Sequence, residues 1–375
     1  MKDSHQVLLT GSGGPAHDPA MVLSVTDLAV NFPTHDGSVH AVRGVSYDLR
    51  EGEVLGIVGE SGSGKSVTSL AVMGLLPSSA QVSGSVLLRG KELLGLSEKG
   101  LARVRGDEIA MIFQDPMSSL NPVYTIGWQI AEAVTAHNAV SKAKARARAI
   151  ELLDIVGIPN AEERVDSYPH EFSGGMRQRA VIAIGMANNP DVIIADEPTT
   201  ALDVTVQAQV LETLTTAREQ TGAAMVLITH DLGVVAGQAD RVMVMYAGKP
   251  VEIGTVDDIF YTPRMPYTLG LLGSLPRVDE RNQERLTPIL GVPPSLINLP
   301  AGCPFAPRCP MAAEICRTEE PELRPTTSAD HLAACHFSER LEGLAPADLF
   351  RATSADYVLP EIGSALGTEA AGSVR

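Results

Sequence analysis

The sequence is poor in aromatic residues and has fewer basic than acidic residues. Phe, Trp and Tyr make up 4% of the 375 residues, and 29 Lys and Arg stand against 45 Asp and Glu, which gives a net charge of −16. Nucleic-acid binding calls for basic patches or aromatic stacking platforms, so this composition argues against a nucleic-acid partner. At about 150 residues per domain, the chain is long enough for two or three domains.

Long apolar runs are also lacking, and cysteine is confined to one stretch. No run approaches the ~18 residues of a membrane-spanning helix, although the hydrophobic content is an ordinary 44%. No sustained apolar segment follows Lys2, so we expect no signal peptide. All four cysteines lie between Cys303 and Cys335, whereas a disulfide-stapled secreted domain is smaller and richer in cysteine. These absences indicate an intracellular chain of several domains.

The first two thirds of the chain alternate between apolar strands and helical segments. Residues 1–20 contain Gly-Ser-Gly-Gly-Pro, which predicts a flexible leader. Val54–Val58 is a short apolar run typical of a buried parallel strand, and Val192–Ala195 and Met225–Ile228 repeat this pattern. The helical stretch Gln207–Glu219 separates the last two runs. This strand–helix–strand spacing predicts an α/β fold with a parallel sheet.

Three segments depart from this alternation. Residues of about 115–172 form a helical insert that includes Ser141–Val156, a stretch rich in Ala, Lys and Arg that predicts a helix. Residues 259–337 are rich in proline and hold every cysteine, which indicates a separate C-terminal extension. Residues 338–375 are rich in Ala, Ser and Gly, and we expect them to form a loosely ordered tail.

A complete phosphate-binding motif follows the first buried strand. The segment Gly59–Ser66 reads Gly-Glu-Ser-Gly-Ser-Gly-Lys-Ser and matches G-x-x-x-x-G-K-[ST], with a helix after it. Its glycines allow successive backbone N–H groups to face one anion at the positive end of that helix. Lys65 is expected to reach the β- and γ-phosphates, and the Ser66 hydroxyl to ligate Mg²⁺. A glycine-rich turn without a ligand is disfavoured by this setting, so the chain is predicted to bind a nucleoside triphosphate.

An acidic pair and a histidine follow two further strands. Asp196 and Glu197 come directly after Val192–Ala195, at the strand end where α/β sheets place their ligands. Asp196 fits a carboxylate that holds Mg²⁺ directly or through water, and Glu197 fits a general base that deprotonates the attacking water. His230 ends the next strand, although a histidine in such a place is, by itself, more often structural than catalytic.

Taken together and in this order, the motifs resemble those of an ATP-binding cassette (ABC) ATPase. Phe172–Gln178 resembles the cassette signature, with Phe where Leu is commoner, and Gln114 resembles the glutamine of the Q-loop. Ala201–Asp203 resembles the D-loop, and His230 resembles the switch histidine. The resemblance implies a P-loop NTPase fold over residues 21–258, with a parallel core sheet, an antiparallel β subdomain and the insert as a helical subdomain.

The resemblance also implies a role for each residue of the site. Three residues are implied to be catalytic: Glu197, His230 and Gln114. Three are implied to hold Mg²⁺: Ser66, Gln114 and Asp196. The implied nucleotide contacts come from one aromatic residue, the phosphate loop, the signature and the D-loop: Phe32, Gly59, Ser61, Gly62, Ser63, Gly64, Lys65, Ser66, Val67, Ser173, Gly174, Gly175 and Asp203. His40 is a second candidate for stacking on adenine.

Longer segments narrow the resemblance to the oligopeptide and dipeptide permeases, and there to the first of the two ATPase subunits. The matching segments lie in both the cassette and the extension: Asn121-Pro122, Tyr168–Arg179, Asp196–Val204, Pro293–Leu296, Gly302–Phe305 and Arg308–Pro310. The companion ATPase subunit typically reads Gly-Gln where this chain has Gly175-Met176.

This narrower resemblance implies an ATPase that drives uptake of di- and oligopeptides. Two cassettes would stack head to tail, and Ser173–Gly175 of one would contact the γ-phosphate held by the other. The implied partners are a companion ATPase in a heterodimer, two membrane permeases and an extracytoplasmic substrate-binding protein, with this chain at the cytoplasmic face of the membrane. Relatives import nickel, glutathione or oligosaccharides, and a soluble cassette ATPase without a transporter is a further alternative.

The four cysteines are spaced C-x₅-C-x₆-C-x₁₈-C: Cys303, Cys309, Cys316 and Cys335. The C-x₂₋₄-C pair of common zinc modules is missing. Because all the cysteines lie together, we expect them to ligate a metal, and four thiolates suit either Zn²⁺ or a [4Fe–4S] cluster. The family resemblance favours the cluster, as a structural pin of the extension. His331 and His336 could replace a thiolate, although we expect them to be solvated or outside the ligand set.

Overall fold

The computed structural model describes residues 20–35, 37–200, 202–275 and 288–350 of the chain. Nearly all of the predicted leader, Ala201 of the predicted D-loop and the end of the predicted tail lie outside these residues. Within the described part, every helix is too short or too polar to cross a membrane.

The described strands form one sheet of four strands and one of eight. In chain order the strands are β1 (Met21–Thr34), β2 (Gly37–Arg50), β3 (Val54–Val58), β4 (Gln81–Leu88), β5 (Lys91–Glu92), β6 (Ile109–Ile112), β7 (Val192–Asp196), β8 (Ala224–Thr229), β9 (Arg241–Tyr246), β10 (Lys249–Thr255), β11 (Arg324–Pro325) and β12 (Leu332–Ala333). The smaller sheet has the order β2-β1-β4-β5 and is antiparallel throughout.

The larger sheet has the order β11-β12-β10-β9-β3-β8-β7-β6 and forms the core of the molecule. Strands β9, β3, β8, β7 and β6 run parallel. Every residue of β3, β7 and β8 is buried, which explains why these strands are unbroken apolar runs instead of alternating ones. The predicted α/β fold, with a parallel core sheet and an antiparallel sheet beside it, is confirmed.

Helices of very different lengths connect the strands. The described α-helices are α1 (Lys65–Val72), α2 (Glu98–Val104), α3 (Pro116–Ser119), α4 (Ile126–His137), α5 (Lys142–Ile155), α6 (Ala161–Arg164), α7 (Gly174–Gly185), α8 (Val204–Thr221), α9 (Leu232–Gln238), α10 (Val256–Tyr261), α11 (Pro266–Gly273), α12 (Glu314–Thr318) and α13 (Pro346–Leu349). Short 3₁₀-helices occur at Pro169–Glu171, Ala306–Arg308 and Ser338–Leu341.

The region between β6 and β7 is helical, as the composition of the insert predicts. Helix α5 begins after Ser141, whose hydroxyl accepts a hydrogen bond from the backbone N–H of Lys144 at 3.3 Å. Helices α4 and α5 bury Ile126, Leu152 and Leu153 in a core that they share with α7 and one face of the larger sheet. This shared core holds the insert against the strands that carry the candidate site.

The extension adds strands to the larger sheet. β12 pairs with β10 through Glu252 and Ala333 and through Ile253 and Leu332, and β11 pairs with β12. The predicted loose tail is packed as far as residue 350, because Phe350 is buried in an apolar cluster that also contains Tyr246 and Phe305. The composition of the tail, dominated by small residues, did not predict this packing, because it depends on one large apolar side chain.

Candidate nucleotide site

The phosphate loop joins β3 to α1 and passes very close to other backbone segments. Gly59 has φ +153° and Gly64 has φ +100°, values that side chains disfavour. A Cβ atom at Gly59 would overlap the carbonyl oxygen of Met245, and one at Gly64 would overlap that of Ala41. Both glycines are therefore required by the path of the loop, independently of any ligand.

Two buried polar groups in this loop point to an anionic ligand. The Lys65 side chain is only 4% exposed, and its Nζ donates to the carbonyl oxygens of Gly59 at 2.8 Å and Glu60 at 3.1 Å. Burial lowers the pKa of Lys65, an effect opposed by the nearby carboxylates of Glu197, Asp196 and Glu60. The Ser63 hydroxyl is buried and has no hydrogen-bond partner among the residues that the structure describes. A buried ammonium beside an unsatisfied hydroxyl fits a bound phosphate.

A hydroxyl and a carboxylate meet beside this loop. Ser66 Oγ donates to Asp196 Oδ1 at 3.0 Å, which joins the start of α1 to the end of β7. Burial raises the pKa of Asp196, whereas the hydrogen bond from Ser66 acts in the opposite direction. Both groups present oxygen ligands of the kind that Mg²⁺ prefers, and a divalent cation would compensate the buried carboxylate. The pair fits the predicted magnesium site.

Glu197 brings three separate segments together at one oxygen. Its Oε2 accepts hydrogen bonds from Gln114 Nε2 at 3.2 Å and Thr200 Oγ1 at 2.9 Å, and His230 Nδ1 lies 3.4 Å from it. The backbone of Glu197 is left-handed, with φ +46°, a conformation that is uncommon for residues other than glycine and clusters at functional sites. Of the three residues predicted to be catalytic, Gln114 and His230 thus both contact the third, Glu197.

The signature begins a helix of its own, α7. Ser173 caps α7, with its hydroxyl accepting a hydrogen bond from Met176 N at 3.3 Å, and Gly174 and Gly175 form the first turn. A Cβ atom at Gly175 would be only 2.5 Å from Val206 Cγ1, so this glycine permits close packing of α7 on α8. Among the described residues, no hydrogen bond links the signature to the phosphate loop.

The predicted D-loop aspartate and adenine-stacking residues have local structural partners. Asp203 caps α8 by accepting from Val206 N at 3.0 Å. Phe32 is half-buried and packs against the core under the antiparallel sheet. His40 is exposed, and its Nδ1 lies 2.6 Å from Asn31 Oδ1. Contacts of these residues with a nucleotide therefore stay predictions.

Three residues contact the site although the motifs did not single them out. Thr200 holds Glu197, and it lies only three residues further along the chain, so its spacing was a usable signal. Tyr267 and Arg308 contact Glu60 of the phosphate loop from more than 200 residues away, and no local pattern announces either contact. Proximity in the fold, and not a motif, places them at the site.

The four cysteines line one small, mostly apolar cavity in the extension. All four are free thiols, and burial raises the pKa of Cys309 to about 12 and that of Cys335 to about 11. Within the described ranges, no three His, Cys, Asp or Glu side chains form a group that could hold a metal ion. The cysteines thus converge as expected, but a zinc or cluster site is not established.

The two histidines considered as substitute ligands have other partners. His331 is fully buried, and its Nε2 lies 2.8 Å from Glu252 Oε1 on β10. His336 lines the cysteine cavity, and its Nε2 lies 3.0 Å from the carbonyl oxygen of Glu319. His331 therefore ties the extension to the larger sheet through Glu252.

Comparison with known proteins identifies the family. The chain matches the ABC transporter family over residues 42–200 and the C-terminal region of oligopeptide/dipeptide transporters over residues 251–316. The dipeptide transport ATP-binding protein DppD of Bacillus subtilis is 57% identical over 297 residues, which cover 79% of this chain and 88% of that protein. This chain belongs to the ABC transporter family. It falls in the branch of the oligopeptide and dipeptide permeases, as the motifs predict.

A second relative and a solved structure give further comparisons for this ABC protein. The oligopeptide transport ATP-binding protein OppD of Mycobacterium tuberculosis is 58% identical over 331 residues, which cover 88% of this chain and 54% of that protein, so the chain spans about half of its length. A solved structure described as a dimeric, post-hydrolysis state of the ATP-binding cassette MJ0796 with ADP and Pi has a TM-score of 0.56 and 26% identity, covering 62% of this chain and 98% of that one.

Proposed function

We propose that this chain is the ATP-hydrolysing subunit of an ABC importer that takes up di- or oligopeptides. The observation that carries the proposal is the convergence of Gln114, Thr200 and His230 on the carboxylate of Glu197, next to the phosphate loop. The names of the relatives, which are oligopeptide and dipeptide transport ATP-binding proteins, supply the substrate class.

Nucleotide binding follows from the charges of the loop. The buried Lys65 would exchange its two carbonyl partners for phosphate oxygens, a stronger, charge-assisted contact. Ser63, whose hydroxyl finds no partner in the described part of the chain, would donate it to a phosphate. Ser66 and Asp196 would hold Mg²⁺, which supplies Lewis-acid neutralisation of the charge that develops on the phosphates.

Hydrolysis requires one proton transfer. Glu197 would accept a proton from the attacking water while the water oxygen bonds to the γ-phosphorus and the bond to the β–γ bridging oxygen breaks, leaving ADP and phosphate. Gln114 and Thr200 fix the orientation of the carboxylate, and His230 lies at the same oxygen, where it would support the transferred phosphoryl group. Asp196 and Glu197 are adjacent in sequence, so the proposed metal ligand and the proposed base are held at a fixed position relative to each other.

A second cassette completes the site in this proposal. Ser173–Gly175 lie at the start of α7, where the backbone N–H groups of a helix have no acceptor within the helix, and these groups would donate to a γ-phosphate held by a partner. The cassette MJ0796 is dimeric in its solved structure. For this chain we propose a heterodimer with a companion ATPase, stabilised by nucleotide binding and released by hydrolysis.

An exposed groove suits the membrane partners. It runs between the helical insert and the larger sheet and is lined by apolar side chains that include Leu75, Phe113 and Ala133. Val123 and Trp128 are exposed on the same insert, at 70% and 44%. A helix of one of the two permeases would bury such a surface. The chain would then lie at the cytoplasmic face of the membrane, with a substrate-binding protein on the other side.

We also propose a [4Fe–4S] cluster on the four cysteines, with Zn²⁺ as the alternative. The backbone N–H of Phe337 donates to Cys335 Sγ at 3.4 Å. Backbone N–H groups also favour the thiolate form at Cys303 and Cys309, where they oppose the rise in pKa caused by burial. Such donors stabilise thiolates that bind iron. A single zinc ion needs all its thiolates about 2.3 Å away, whereas a cluster spreads them over four irons, and the four cysteines share one cavity.

The metal proposal is tested by composition. Iron and acid-labile sulfide in anaerobically purified full-length protein, lost together in the Cys309→Ser variant, would support the cluster. Stoichiometric zinc without a brown chromophore would overturn it.

The transport proposal is tested by uptake. The chain, its companion ATPase, the permeases and the binding protein are reconstituted in liposomes, and accumulation of a labelled tripeptide is measured with ATP on the side of the ATPase. We expect ATP-dependent accumulation that the Glu197→Gln variant abolishes. Accumulation of nickel, glutathione or an oligosaccharide in place of peptides would reject the substrate class, and ATP hydrolysis without permease association would favour a soluble cassette protein.

A further inference from the structure

An acidic residue occupies the phosphate loop at a place where a polyanion is to be bound. Glu60 is the second residue of the loop, and its carbonyl oxygen accepts a hydrogen bond from Lys65 Nζ at 3.1 Å. Its carboxylate attracts the Lys65 ammonium electrostatically. An uncompensated carboxylate here would repel the triphosphate and hold Lys65 away from it, and both effects are strong in a partly buried site.

A basic residue of the extension compensates this charge. Arg308 Nη1 lies 2.6 Å from Glu60 Oε2 and Arg308 Nη2 lies 2.8 Å from Glu60 Oε1, a bidentate pair. The Arg308 side chain is 5% exposed and that of Glu60 is 27% exposed, so the pair is shielded from solvent far better than a surface pair. The Arg308 guanidinium also lies 5.9 Å from the ring centroids of both Tyr246 and Phe305.

The backbone of Glu60 is held from the same side. Its N–H donates to Tyr267 Oη at 2.8 Å. Tyr267 is fully buried and packs on Tyr246 and Phe305, with ring centroids at 4.6 Å and 5.4 Å. Both the main chain and the side chain of Glu60 are therefore fixed by residues beyond the cassette motifs, through one cluster of aromatic rings.

We propose that Arg308 is a positioning residue for nucleotide binding: it neutralises Glu60, so that the charge of Lys65 acts on the triphosphate. The inference rests on the proposed binding of ATP and adds the C-terminal extension to the nucleotide site. Arg308 acts through Glu60 and needs no contact with the nucleotide. The extension thereby contributes to ATP affinity, in addition to its contact with the larger sheet.

The test uses full-length protein and compares Arg308→Ala, Glu60→Gln and the double variant, with Arg317→Ala as control. Arg317 is a matched control because it also adjoins a cysteine of the extension, Cys316, but has an exposed side chain. The measurements are the Kd for ATP and, in the assembled transporter, KM for ATP and kcat. Circular dichroism and thermal unfolding of each variant report whether it folds.

We expect Arg308→Ala to raise the Kd and KM for ATP by about 10- to 100-fold, because a desolvated charge loses its partner. The kcat at saturating ATP should change much less. Since the effect arises from the Glu60 charge, the double variant should recover to within about threefold of the wild type. Arg308→Lys should recover affinity only in part, because an ammonium cannot form the bidentate pair.

Equal weakening in Arg308→Ala and in the double variant would overturn the inference, because Arg308 would then act only through packing. Unchanged affinity in Arg308→Ala would overturn it as well. Failure of the proposed function is distinct: the wild-type protein would then show no ATP binding that depends on Lys65, whatever residue stands at position 308.

Discussion

The phosphate loop and the cysteine cavity are both candidate ligand sites, yet the polypeptide alone completes them to different degrees. In the phosphate loop the backbone path is fixed by Gly59 and Gly64, and the charged groups already contact one another. In the cavity the thiols of Cys309 and Cys335 are half-buried among mostly apolar groups, and burial raises their pKa values to about 12 and about 11.

The difference shows where each site obtains its stability. In the phosphate loop, Lys65 and Ser66 already make hydrogen bonds with other residues of the chain, so a nucleotide would enter a preformed site. Within the described residues, the groups that favour the cysteine thiolates are backbone N–H groups, and metal binding would have to remove the thiol protons. The two regions also meet, because Arg308 precedes Cys309 and contacts the loop at Glu60.

The largest effect is expected from removing the lysine of the phosphate loop. Lys65→Ala should weaken ATP binding by about 1000-fold, because a buried ammonium that faces the phosphates is lost. The free energy of unfolding should stay within about 1 kcal/mol of the wild type, since burial already disfavours this charge. Isothermal titration and urea unfolding check the two parts, and ATP affinity within tenfold of the wild type would contradict the role of Lys65.

A second substitution tests how the extension is held. His331→Ala leaves the fully buried Glu252 without its imidazole partner and should lower the free energy of unfolding by about 3 kcal/mol. Glu252 still accepts from the backbone N–H groups of Arg264 and Met265, so the fold should persist. His336→Ala is the control, and it should cost less than about 1 kcal/mol. A loss in His331→Ala no greater than in the control would show that the buried pair does not anchor the extension.

The smallest effect is expected from removing the hydroxyl of Thr200, which tests how Glu197 is oriented. Thr200→Val removes the hydroxyl that donates to Glu197 at 2.9 Å and keeps the shape of the side chain. We expect kcat to fall by about tenfold with KM for ATP unchanged, because orientation of the base is impaired while the phosphate loop is intact. Thr216→Val is the control, because Thr216 is a half-buried residue of α8 whose hydroxyl donates to the backbone carbonyl of Glu212 and not to the site. A rise in KM without a change in kcat would place Thr200 in binding instead.

Local patterns predicted the parts of the fold that depend on neighbouring residues. The unbroken apolar runs located β3, β7 and β8, and the order of the motifs identified the residues that meet at Glu197. Contacts between distant segments left no such pattern. Arg308 and Glu60 are 248 positions apart, and His331 and Glu252 are 79 apart, so only the fold reveals these pairs.

Composition was misleading where few residues decide the structure. The segment from 338 to 350 is packed by Leu341 and Phe350 despite its many small neighbours. The spacing of the cysteines correctly indicated a shared location. It contains no information about the distances between the sulfur atoms, which would distinguish a site for one metal ion from a site for a cluster.

The most direct test of the account compares ATP hydrolysis by the wild type and Glu197→Gln in the assembled transporter, with bound ATP measured in the same samples. Because Glu197 is the proposed general base, we predict that turnover falls by about 1000-fold. ATP binding should be retained, since the phosphate loop is unchanged. Turnover within a few fold of the wild type would contradict the assignment of Glu197 and with it the proposed mechanism.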